Sequence, residues 1–291
     1  MIKIDVEQMR KQFLTNDMAR DKGLNEPENL VKIKNLSYGT HGIENQFDIY
    51  YPKGTTAPLP TIISIHGGGF FYGSKEIYRF YTMFLATQGF TVINCNYRLA
   101  PENPYPAPLE DINSLMQWLL QYGENYFVDM DQLFLVGDSA GAQLTEQYAT
   151  MVSNPAYAKQ FDFAVAPVQL RAIALNCGVY FIGKQAAVNQ DFPHYFGEKV
   201  SEARTAQFPV ERFMTDKFPP AFIMTATHDF LKDMAKPLAN ILQSKNVPID
   251  YHLYANSDDT ELGHVFHLDQ KSSIAKECNL AMIEFFKKFL E

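Results

Sequence analysis

Long apolar runs are missing from this sequence: nowhere in its 291 residues does a stretch approach the ~18 consecutive apolar residues that a membrane-spanning helix requires. The opening "MIKIDVEQMRKQFLTNDMARDKGL" alternates apolar and charged residues, and it lacks the uninterrupted apolar core and small-residue cleavage site of a secretory leader. A cytoplasmic location without a membrane span is the expectation. Cysteine is scarce. Cys95, Cys177 and Cys278 are widely spaced and odd in number, which suits reduced thiols better than a disulfide framework. None of the three sits in a redox or zinc pattern. Basic residues are outnumbered, 25 Lys and Arg against 33 Asp and Glu, for a net charge of −8. Nucleic acid and anionic membranes both demand dense basic patches, so neither is expected as a partner and a small molecule is. Repeats and low-complexity tracts are absent too.

What the sequence does have is apolar material, 46% of its residues, enough for one large core and for reading residues 1–291 as a single domain. From about residue 46 onward, short runs bounded by Gly, Pro or Asn read as strands: "FDIYYP", "TIISIHGG", "TVINCNY", "LFLVGD", "RAIALNCG", "AFIMTAT" and "IDYHLYA". Between them, residues 111–122 and 234–245 are long enough and suitably spaced in apolar residues to be crossover helices. Such alternation predicts an α/β protein with a mainly parallel sheet and helices on both faces. Two segments break the pattern, residues 1–30 and the aromatic-rich 180–217. They read as an N-terminal cap and a lid or pocket insertion, with plain packing against the helices as the competing explanation. In open parallel sheets the ligand crevice lies at the carboxyl ends of the strands, where such insertions supply walls.

At 137–141 the chain reads "GDSAG", a G-x-S-x-G pattern between a predicted strand and a predicted helix. A nucleophile there needs a sharp turn that pushes its hydroxyl outward, and flanking glycines remove the side chains that would collide. Upstream, "ISIHGGGFFYG" ends a strand in His66 followed by three glycines, Gly67, Gly68 and Gly69. Consecutive glycines let backbone N–H groups approach a ligand, as an oxyanion hole requires. Phosphate binding is disfavoured, since the loop has neither a P-loop lysine nor dinucleotide spacing. No cofactor is expected.

A serine hydroxyl needs a base, and the base needs an acid to fix its tautomer. "AFIMTATHDFLKD" places Asp229 at a strand end, and "ELGHVFHLD" places His264 after the next strand. Asp233, Asp258 and Asp259 are rival acids, the first one turn into a helix and the others in a polar loop. The order Ser139, Asp229, His264, with the serine elbow and the glycine loop, is that of α/β-hydrolases. His264 and His267 form H-x-x-H, but without H-E-x-x-H or a cysteine pair no metal site is expected, and His267 reads as a packed or surface residue. Phe70, Phe71 and Tyr72 are substrate-binding candidates, with burial in the core as the equal alternative. Asp138 either braces the serine turn or simply favours the dipole of the following helix.

These motifs resemble the hormone-sensitive-lipase-type branch of the α/β-hydrolase superfamily, the "HGGG" carboxylesterases. The likeness is carried by "HGGGF" at 66–70, "NYRLAPE" at 96–102, "GDSAG" at 137–141, "THDFLKD" at 227–233 and "GHVFH" at 263–267. It implies an α/β-hydrolase fold with Ser139 as nucleophile, His264 as base and Asp229 as its orienting acid. The amides of Gly67, Gly68 and Ala140 would form the oxyanion hole, and His66 would orient the loop. The chain departs from the family in having Ala142 and Gln143 after the elbow, where glycine and asparagine are common. It departs again in the acidic "NSDDTEL" before Gly263 and in Val265 after His264, which bear on the pocket rim. The implied activity is hydrolysis of carboxylic esters, with short acyl chains favoured because no long apolar lid is evident. An acylated-sugar or feruloyl esterase, an aryl formamidase, or a non-catalytic binding relative on the same scaffold are the alternatives. Oligomeric state stays open, a homo-oligomer included.

Overall fold

Eight short runs, most of them rich in β-branched and aromatic residues, pair into one sheet. They are β1 (Leu30–Ser37), β2 (Gln46–Pro52), β3 (Leu59–Ile65), β4 (Thr91–Cys95), β5 (Val128–Asp138), β6 (Leu170–Asn176), β7 (Ala221–Ala226) and β8 (Ile249–Tyr254). The computed structural model describes residues 5–183, 192–197, 200–255 and 262–290. The acidic loop that contains Asp258 and Asp259 lies outside these. Seven of the eight strands are those expected from the sequence. The eighth, β1, was not expected. Its "LVKIKNLS" mixes lysine with apolar residues, as suits a half-exposed edge strand with one free side.

Sheet order is β1-β2-β4-β3-β5-β6-β7-β8. β1, β2 and β4 pair antiparallel, whereas β4, β3, β5, β6, β7 and β8 run parallel. From β3 the chain crosses to β4 on one side and then returns to β5 on the other, so the strand order reverses at β3. Ligand crevices form outside the carboxyl ends of strands at such a reversal. The last register pair of β3 and β5 there is Ile65 with Gly137. The glycine loop and the serine elbow therefore leave the sheet side by side.

Side chains alternate between two apolar layers. Ile62, Phe134 and Val136 face one, covered by α2 (Lys75–Ala86) and the last long helix (Ser273–Lys287) through Tyr81, Met83, Met282 and Phe286. Ile63, Leu133 and Leu135 face the other, covered by α3 (Ala107–Tyr122), α4 (Ala140–Ser153) and α5 (Lys232–Ser244) through Ile112, Leu144 and Leu238. Each such side chain, when fully buried, contributes about 1.5–3 kcal/mol.

The N-terminal helix α1 (Val6–Asp21) is attached differently, because Asp21 is its only buried residue. Polar bonds hold it. Arg10 donates to the carbonyls of Phe71 and Ala100 and pairs with Glu102, and Arg20 donates to the carbonyl of Ile77. In the 180–217 stretch, residues 184–191 and 198–199 lie outside the described residues. The described remainder sends Tyr195, Phe196, Phe208 and Val210 into the layer over α3 and α4. Among the described residues no helix is long and apolar enough to cross a membrane.

Candidate active site

Ser139 sits between the end of β5 and the start of α4 with φ 52° and ψ −118°, a positive φ that non-glycine residues rarely adopt and that stores of order 1–3 kcal/mol. The surroundings enforce it. The Ser139 amide donates to Asn176 at the end of β6, and its carbonyl accepts from Val179 and Gln143. Gly141 lets α4 come down on β3, since a Cβ there would collide with the carbonyl of Ile65.

Beyond the strand ends, the Ser139 hydroxyl, the His264 imidazole and the Asp229 carboxylate stand in one hydrogen-bonded line. Ser139 Oγ lies 2.9 Å from His264 Nε2, and His264 Nδ1 lies 2.8 Å from Asp229 Oδ1. A carboxylate only accepts, so Nδ1 carries the hydrogen and Nε2 is left to accept from the serine. A parallel bridge, His228 with Gly263, aligns the two loops that carry Asp229 and His264. Asp229 also accepts from the Thr225 hydroxyl and the Leu231 amide. Burial acts to raise its carboxyl, but the bonds from His264, Leu231 and Thr225 together hold it below the ordinary range. The rival Asp233 is exposed in the first turn of α5.

The glycine loop corrects one expectation. The Gly67 amide donates to Tyr78 Oη at 2.9 Å and so is not a free donor. The amides of Gly68 and Gly69 have no acceptor among the described residues. Ala140 supplies the first amide of α4, one of the donors a helix leaves unpaired at its start. Gly68 must be glycine, because it has φ 115° and a Cβ would meet the Tyr72 carbonyl. Each of the three free amides belongs to a peptide unit whose carbonyl already accepts a bond: Gly67 from His66 Nδ1, Gly68 from Tyr72, and Ser139 from Val179. Such bonds polarise the unit and strengthen its N–H as a donor. His66 is buried, its ring stacked 4.1 Å from that of Tyr97, and burial pushes its ionisation down to about 4. It therefore stays neutral while it fixes the loop.

A cleft of about 490 Å³ opens over these groups. Phe71 and Tyr72 line it, as do Phe230 and, from α1, Met9, Phe13 and Asp17. Phe70 does not. Its backbone is left-handed at φ 68° and its ring is fully buried, stacked 3.8 Å from Tyr195. Phe70 thus anchors the loop to residues 192–197 rather than meeting a ligand, and His194 Nε2 reinforces the contact by donating to the Gly69 carbonyl at 2.8 Å. The sequence singles out neither Tyr78 nor His194, and it names no individual α1 residue and no oxyanion role for Gly69 in particular. Only Gly69 had a signal there, as the third glycine of the run. A second concavity of about 430 Å³ lies at the amino ends of β6 and β7, around Arg171 and Pro220, and contains none of these groups.

Among the described residues one set of three ligand-type side chains lies together: Cys177, Asp229 and His264, with donor atoms within 4.8 Å of one another. Burial pushes the Cys177 thiol well up, away from the thiolate that a metal needs. His267, the other half of H-x-x-H, is fully buried edge-on to Tyr81 and held neutral, burial pushing it down to about 3.

Residues 62–268 match the family described as alpha/beta hydrolase fold. Esterase LipI of Mycobacterium tuberculosis is 26% identical over 215 residues, which cover 70% of this chain and 67% of that protein. Carboxylesterase NlhH of the same organism is 26% identical over 246 residues, 80% of this chain and 77% of that one. Among solved structures, an inhibited esterase B from Lactobacillus rhamnosis superposes with a TM-score of 0.85 at 27% identity, covering 98% of this chain and 95% of that one. A second structure of that esterase, inhibited by a C4-C4 tributyrin phosphonate, gives 0.84 at 25% identity over 98% and 94% of the two chains.

Proposed function

The chain belongs to the α/β-hydrolase fold family and is a hydrolase of carboxylic esters, and from that premise we propose that it works through an acyl-enzyme on Ser139. The observation that carries the proposal is the unbroken line from Ser139 Oγ through His264 to Asp229. Ser139 Oγ attacks the ester carbonyl carbon while its proton passes to His264 Nε2. Asp229 accepts from Nδ1–H throughout and stabilises the imidazolium. Negative charge then rests on the carbonyl oxygen, where the amides of Gly68, Gly69 and Ala140 receive it. As the tetrahedral species collapses, the ester C–O bond breaks and the leaving alkoxide takes the proton from Nε2. A water, deprotonated by the same nitrogen, releases the acid and restores Ser139.

Substrates with short acyl chains are the second part of the proposal. A cleft of about 490 Å³, walled by Phe71, Tyr72 and Phe230 and roofed by Met9 and Phe13, suits a small ester, since pockets for small molecules span about 300–1,000 Å³. The C4 chains of the tributyrin phosphonate in the related esterase B agree with this. We further assign the 1–30 segment, through α1, and the 180–217 segment, through its described residues, as additions to a single catalytic unit. A reducing, cytoplasmic setting accords with three buried, unpaired thiols. The test compares p-nitrophenyl acetate, butyrate and laurate on wild type and Ser139→Ala. Loss of about 10⁴-fold or more in kcat for the variant is expected, with the acetate and butyrate esters turned over faster than the laurate by the wild type. Unchanged hydrolysis by Ser139→Ala would overturn the assignment.

A further inference from the structure

Tyr78 belongs to none of the motifs, and the mechanism above makes no use of it. It lies on α2, the crossover from β3 to β4, with only 5% of its surface exposed. Its hydroxyl oxygen makes two bonds, accepting the Gly67 N–H at 2.9 Å and donating to Asp138 Oδ2 at 2.7 Å. The two partners lie just past the same point. β3 and β5 exchange their last sheet contact at Ile65 and Gly137, with Gly67 two residues beyond it on one strand and Asp138 one residue beyond it on the other. Past that point the backbones diverge, one into the glycine loop and the other into the serine elbow, and the phenol oxygen spans the gap. The fit is close. A Cβ on Gly67 would stand 2.7 Å from Asp138 Oδ2 and 3.2 Å from Ser139 Cβ.

The amides assigned to the developing oxyanion come from both sides of this gap, Gly68 and Gly69 from one and Ala140 from the other. Donors of this kind work because they are fixed before charge appears, and displacement by a fraction of an ångström weakens them. We propose that Tyr78 is a positioning residue for ester cleavage: its hydroxyl, braced on Asp138, sets the separation between the glycine-loop amides and the elbow amide. The proposal rests on the reading of Ser139 and the three amides given above. Because Tyr78 acts on the charge of the tetrahedral species and not on the bound ester, its loss lowers kcat and leaves KM in place.

Tyr78→Phe keeps the ring and removes only the hydroxyl. Asp138→Val removes the acceptor and leaves a small apolar side chain, whereas Asp138→Asn keeps the shape of the aspartate and retains an oxygen for the phenol. With p-nitrophenyl butyrate, Tyr78→Phe and Asp138→Val are expected to lose roughly tenfold or more in kcat, a fraction of what deleting a whole donor removes. KM should stay within about twofold, and phosphonylation of Ser139 by a p-nitrophenyl phosphonate should slow by the same factor as kcat. Asp138→Asn should retain several-fold more activity than Asp138→Val. Should Tyr78→Phe fail to fold, the two Asp138 variants carry the comparison. Wild-type kcat in both Tyr78→Phe and Asp138→Val, or a rise in KM that accounts for the whole loss, overturns the role of Tyr78. If Ser139→Ala remains active, the underlying reading fails instead.

Discussion

Asp138 precedes Ser139 and is almost wholly buried, with the Tyr78 hydroxyl on one oxygen. Burial pushes its carboxyl up to about 7, and the Tyr78 bond and the His264 charge only partly oppose that. The sign of the resulting pH dependence is fixed. In the unfolded chain the group ionises near 4, whereas in the folded protein it keeps its proton until about pH 7. Between those values the folded state binds more protons, so stability falls as pH rises and levels off above 7. Asp138→Asn removes that slope. Urea denaturation at pH 5 and pH 8 should therefore show the variant gaining stability relative to wild type at the higher pH; a constant difference between them contradicts the burial argument. At this scale the hydrogen-bonded line of Ser139, His264 and Asp229 was anticipated from the sequence, the serine from its flanking glycines and the other two from their order at strand ends. Phe70 and Phe71 were not separable, since a left-handed φ at Phe70 decides which ring enters the core. Nothing in the sequence marks the Gly67 amide as engaged, because its acceptor, Tyr78, lies eleven residues away on another element.

Among the elements, α1 stands apart. Helices α2 to α5 bury apolar faces against the sheet, but α1 places Met9 and Phe13 over the cleft and is otherwise held by arginines. Phe13 stacks on Phe71 at 5.8 Å and meets Tyr72 edge-on at 5.4 Å, and Asp17 accepts from the Tyr72 hydroxyl at 2.7 Å. Arg10→Ala removes the donors to the Phe71 and Ala100 carbonyls. Loss of about 1 kcal/mol of attachment corresponds to roughly a fivefold rise in KM. The melting temperature should move little, because no large apolar surface is uncovered. Michaelis kinetics with scanning calorimetry check this, and a large drop in melting temperature with unchanged KM would assign α1 to the core instead. The sequence announced strands 46 onward through their β-branched runs between turn residues. It did not announce α1, whose charged and apolar residues form no clear face, nor β1, whose lysines disguise an edge strand.

Over the whole molecule, one topological fact places the chemistry. The strand order reverses at β3, which brings the glycine loop and the serine elbow out of adjacent strands. The extensions after β7 and β8 bring Asp229 and His264 to the same end. Two apolar layers pack on the two faces of the sheet below this end, and α1 adds Met9, Phe13 and Asp17 to the wall of the cleft above it. We propose that this geometry makes Ser139 the residue that receives the acyl group. The most direct test is peptide mass spectrometry of the protein after incubation with a fluorophosphonate. One equivalent of adduct confined to the "GDSAG" serine, and absent from Ser139→Ala, is the predicted result. An active protein without an adduct, or with the adduct on another residue, would contradict the account.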